Sequence, residues 1–132
     1  MPYLPLAAAA IIGILGMLHL IYAVRDIVSR PRYFVPRDPA LLDAMRGTKA
    51  ALAPNGHDFW SVLLGIHLTH SIGLLLFALL IVLTVVTPLP ALKPLMIGVG
   101  LVLTFIAWQF FFHIPLIGVA LATALMIVGW LL

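Results

Sequence analysis

The chain has 132 residues, 64% of them hydrophobic and only 8% charged, with seven Lys or Arg, four Asp or Glu and a formal net charge of +3. A mean hydropathy of +1.25 lies far above that of soluble domains and describes an integral membrane protein. No cysteine is present, which excludes disulfides, thiolate metal sites and iron–sulfur clusters.

The first apolar run spans residues 6–24, opened by Pro5 and closed by Arg25 and Asp26. No Lys or Arg precedes it and no small-residue cleavage site follows, so it reads as a retained transmembrane helix rather than a signal peptide. Residues 25–58 form a polar connection carrying six of the seven basic residues, Arg25, Arg30, Arg32, Arg37, Arg46 and Lys49. The positive-inside rule assigns this loop to the cytoplasm and both termini to the outside. Lipid headgroups account for the charge; no interleaved aromatic or Gly-rich pattern speaks for nucleic acid. Within the loop, Asp38 is a candidate N-cap for a short helix starting at Pro39. Leu41, Leu42, Met45 and Leu52 are expected on one face of it, with Arg46 and Lys49 near the edge, as in an interfacial amphipathic helix.

The second run, 59–86, follows Asn55-Gly56-His57-Asp58, a turn ending in an acidic cap candidate, and stops at Thr87-Pro88-Leu89-Pro90. From Leu95 onward the chain is almost unbroken in its apolarity. As one helix this segment would reach about 57 Å, nearly twice the hydrocarbon thickness, so it must fold back. Proline disfavours helix at the residue before it, and His113-Ile114-Pro115 is the expected break between helices 95–112 and 115–132. The expected fold class is therefore all-α: a four-transmembrane-helix bundle forming a single domain, 1–132, with a short interfacial helix between helices 1 and 2.

Histidine in hydrocarbon is costly unless paired, which makes His19, His67, His70 and His113 the leading functional candidates. Counted from the loop-side boundary at 1.5 Å per residue, His19 and His67 both lie about 10 Å deep, with His70 one turn deeper and His113 at the end of the hairpin. Gln109 is one turn from His113. His67, His70, Ser71 and Leu74 form one helical stripe, and His19, Tyr22 and Asp26 another. Asp26 is placed to orient an imidazole or carry protons. Cofactor-binding candidates are His19, His67, His70 and His113, of which His19, His67 and His70 are the metal-ligand set; Tyr22, Asp26, Ser71 and Gln109 are expected to line the pocket. Imidazoles at equal depth on two helices suit haem b or a His-ligated metal. The absence of glutamate argues against a carboxylate-bridged di-iron site. The alternative for each histidine is simple interhelical hydrogen bonding. Trp108 to His113 reads as an aromatic belt, or as the wall of a planar-ligand pocket.

The stretches Leu15-Gly16-Met17-Leu18-His19-Leu20-Ile21-Tyr22, Gly65-Ile66-His67-Leu68-Thr69-His70-Ser71-Ile72-Gly73 and Phe111-Phe112-His113-Ile114-Pro115 resemble a family of small bacterial four-helix membrane proteins. The resemblance implies the fold and carries over no activity. Three functions stay open: an accessory subunit of a larger membrane complex holding a haem, metal or pigment; a small enzyme using His as acid or base on a quinone or lipid; and an oligomeric transporter or proton channel. Expected partners are the bilayer and other transmembrane subunits or further copies of the chain.

Overall fold

A computed structural model describes residues 2–87 and 89–131. The described residues are helical throughout their ordered elements, consistent with a four-helix bundle carrying one short helix between its first two members. The helices are α1 (Tyr3–Val28), α2 (Pro39–Gly47), α3 (Phe59–Val86), α4 (Leu92–Phe110) and α5 (His113–Leu131). All but α2 are long and apolar enough to cross a membrane, as in an integral membrane protein.

Three of the four long helices differ from their expected bounds, each for a local reason. α1 starts at Tyr3, so Pro5 sits inside the first turn, where no intrahelical N–H is required of it. It also runs past Arg25 and Asp26 to Val28, because Asp26 is accommodated by bonds to the following loop rather than by water. α4 begins a turn earlier than expected, taking in Lys93 and Pro94, and α5 begins at His113 with Pro115 as its third residue. The hairpin break thus falls at Phe111 and Phe112, just before the proline motif.

Contacts divide the described chain into two compact groups. The first holds residues 2–17 and 73–131: the start of α1, the second part of α3, and α4 with α5. Ile12, Ile81 and Met126 are fully buried at its centre. Gly16 faces α3 so closely that a Cβ there would stand 2.9 Å from the Cβ of Leu74, a separation only glycine permits. Gly100 plays the same part between α4 and α5, where a Cβ would meet the Thr123 hydroxyl at 2.6 Å. The hydroxyls of Thr84, Thr104 and Thr123 donate to carbonyls four residues back, at 2.8 Å each, so these polar groups are satisfied within their own helices.

The second group, residues 18–72, comprises the end of α1, the loop, α2 and the first part of α3. Asp38 caps α2, its carboxylate accepting the Ala40 N–H at 3.0 Å, with Pro39 as the first helical residue. Lys49 and Leu52, expected on the flank and face of this helix, lie beyond its end at Gly47. Leu52 is fully exposed in a turn, and Lys49 pairs by backbone with Asp58. That pairing, with the Phe59 N–H donating to the Thr48 carbonyl at 2.9 Å, closes the loop at the start of α3.

Candidate functional site

Three half-buried imidazoles meet in the second group, His19 from α1 and His67 and His70 from α3. The Nε2 of His19 lies 2.9 Å from the Nδ1 of His67, a hydrogen bond between helices in which one ring donates and the other accepts. Ring centroids are 5.0 Å apart for His19 and His67 and 5.1 Å for His19 and His70, the latter pair edge to face. The equal depth expected of His19 and His67 becomes direct contact, and the i, i+3 spacing on α3 brings His70 onto the same imidazole.

A fourth ring closes the cluster. Phe34 stacks on His67 with centroids 3.8 Å apart and planes 14° from parallel, and it meets His19 at 4.8 Å. Phe34 belongs to the loop after α1, and Asp26 explains why it is there. The Asp26 carboxylate, only 3% exposed, accepts backbone N–H groups from Arg32 at 2.9 Å, Tyr33 at 3.1 Å and Phe34 at 2.8 Å. Three charge-assisted bonds from consecutive residues turn the loop back onto its own helix. The same turn stacks Tyr33 on Tyr22, with centroids 4.5 Å apart and planes at 13°.

The other candidate residues take the following places. The Asp26 carboxylate accepts the loop N–H groups of Arg32, Tyr33 and Phe34. Ser71 is fully buried and its hydroxyl donates to the His67 carbonyl at 2.7 Å, within its own helix. Tyr22 stacks on Tyr33. Gln109 and His113 are exposed and belong to the other compact group, at the end of α4 and the start of α5. Phe34 is the member of the cluster that the sequence reading missed.

Compared with protein-family models, with curated proteins and with solved structures, the chain matches none. The site must therefore be read from its own chemistry. Among the described residues, no group of three His, Asp or Glu side chains is placed so that it could hold a metal ion. Two imidazole nitrogens at 2.9 Å nevertheless match the separation of neighbouring ligands on one ion, about 2.9 to 3.4 Å when each bond is 2.0 to 2.1 Å. A haem held between the same two rings would need its ligand nitrogens roughly 4 Å apart on opposite faces of the macrocycle. Direct contact of His19 and His67, with Phe34 packed on the outer face of His67, leaves no such slot.

Two open grooves of ≈ 440 Å³ each flank the end of α1, and no histidine lines either one. Outside the helices, Asp58 caps α3. Its carboxylate accepts the Ser61 hydroxyl at 2.7 Å and the Ser61 N–H at 3.0 Å, and these bonds hold its pKa below the ordinary carboxylate value.

Proposed function

We propose that this chain is a small integral subunit of a bacterial cytoplasmic membrane assembly, and that its histidine cluster holds a single transition-metal ion. The observation carrying this reading is the 2.9 Å approach of His19 Nε2 to His67 Nδ1 across two apolar helices. An ion bound there would take the place of the shared hydrogen bond, held by His19 Nε2 and His67 Nδ1 with the donor ring's proton moved to its other nitrogen, and His70, in ring contact with His19, would be the third imidazole available to it. All-imidazole ligation suits zinc, copper, nickel or ferrous iron, and it uses no carboxylate, in keeping with the commitment of Asp26 to the loop. The cover of Phe34 favours a held ion over an open catalytic pocket. The loop 25–58 then faces the cytoplasm, and the exposed apolar helix faces contact lipid and neighbouring transmembrane subunits.

Titration of the purified full chain in detergent with Co(II) tests this directly. Ligand-field absorption saturating at one ion per chain supports the reading, provided it is lost in His19→Ala and in His67→Ala and kept in His113→Ala. Absence of saturable binding, or binding undiminished in His67→Ala, overturns it.

A further inference from the structure

We infer that the end of α1 carries a binding site for an anionic phospholipid, with the headgroup phosphate on Arg25, Arg30 and Arg32 and one acyl chain against Leu64 and Leu68. Those three arginines line the first groove, together with Ser29 and Pro31. The second groove shares Ser29 and Pro31, so one amphiphile can straddle the turn and occupy both. Each groove is within the size range of a small-ligand pocket.

Arg25, Arg30 and Arg32 bring three positive charges to the first groove, against the one carboxylate, Asp26, that lines the adjoining second groove and accepts the loop N–H groups. The Arg32 guanidinium stands 6.0 Å over the Tyr33 ring, and the forks of the three arginines fit phosphate oxygens. Arg25 lies in the last turn of a membrane-length helix, at the level where headgroups begin.

The second groove supplies what a free anion would not need. Trp60, Leu64 and Leu68 recur at four-residue spacing along one face of α3, and Ile27 of α1 adds to the apolar lining. Gly65 lies in the same groove, and a Cβ built on it would meet nothing within 4 Å. The missing side chain leaves room for an acyl chain. Arg46 of α2 adds a further cation to the lining.

Native mass spectrometry of the full chain in detergent, titrated with phosphatidylglycerol, phosphatidylcholine or inorganic phosphate, separates the sources. Phosphatidylglycerol is expected to be retained over phosphatidylcholine. Replacing two interfacial arginines in Arg30→Gln/Arg32→Gln should weaken its retention about thirtyfold. Gly65→Leu, whose Cβ meets nothing within 4 Å and whose side chain occupies the groove, should release both lipids while the thermal midpoint holds. Equal retention of the two lipids, or retention indifferent to both variants, overturns the proposal. Millimolar inorganic phosphate displacing the lipid while Gly65→Leu stays silent also overturns it, leaving a free-phosphate site. None of these variants alters a histidine, so the outcome is independent of the metal titration.

Discussion

Asp26 accepts the backbone N–H of Phe34 at 2.8 Å, and that bond puts an aromatic ring face to face with His67. A buried carboxylate at the end of one helix thereby controls access to an imidazole on another. Because it also accepts from Arg32 and Tyr33, removing its charge weakens three bonds at once. Asp26→Asn, which keeps the shape and one acceptor oxygen, is expected to lower stability by about 2 kcal/mol. The amides of residues 32–34 should lose hydrogen-exchange protection while those of α4 and α5 keep theirs. Unchanged protection at these three amides would show that packing, not Asp26, holds the loop.

Phe34 itself covers His67 without bonding to it, so its truncation separates cover from anchorage. In Phe34→Ala the Asp26 bonds to the backbone persist, but the stacked face of His67 opens. Modification of His67 by diethyl pyrocarbonate should quicken several-fold, whereas modification of exposed His113 should not change. A stacked aromatic pair contributes about 0.5 to 1.5 kcal/mol beyond its buried area, so the thermal midpoint should fall only modestly. Equal His67 reactivity in the two proteins would mean that Phe34 does not limit access.

The helices and the His19–His67 pair were legible in the sequence because both depend on regular geometry: apolar runs of membrane length, and residues counted to equal depth. The expected bounds of α3 match its structure at both ends. Asp38 and Asp58 read correctly as caps because capping is local, set within three residues of the carboxylate. Phe34 was illegible for the opposite reason. Its position depends on bonds from Asp26 that span six to eight residues of irregular chain, and no periodicity encodes such a turn. The basic residues around it drew attention to charge, and the aromatics between them were passed over. The bond of Ser71 to the His67 carbonyl was likewise not legible, because a helical stripe gives the direction of a side chain and not its hydrogen-bond partner.

Two glycines on the long helices should respond oppositely to the same substitution. At Gly16 a new Cβ falls 2.9 Å from the Cβ of Leu74 and 3.3 Å from the backbone nitrogen of Leu75, neither of which can move without shifting α3. Gly16→Ala should therefore cost about 1 to 3 kcal/mol by forcing the helices apart. At Gly65 the new methyl meets nothing within 4 Å, and Gly65→Ala should change stability by no more than about 0.5 kcal/mol. Thermal unfolding in one detergent compares the two. A Gly16→Ala protein as stable as its parent would refute the close approach of α1 and α3 at Leu74.

The cap at Asp58 makes stability depend on pH in a predictable direction. The Ser61 hydroxyl, and after it the Ser61 N–H, favour the ionised carboxylate, so the folded pKa lies below the ordinary value of 3.8. The unfolded chain takes up its proton first as pH falls. The stabilisation is thus fully present above the unfolded value, declines once pH drops beneath it, and is gone below the folded pKa. Asp58→Asn can still accept the Ser61 N–H but carries no charge to titrate. Thermal midpoints of the parent should exceed those of Asp58→Asn between pH 5 and 7 by a constant margin, which closes as pH falls below about 4. Ser61→Ala removes the leading cause of the shift and should narrow the margin at neutral pH while leaving the acid end unchanged. A margin that persists at pH 2 would assign the effect of Asp58 to shape rather than charge.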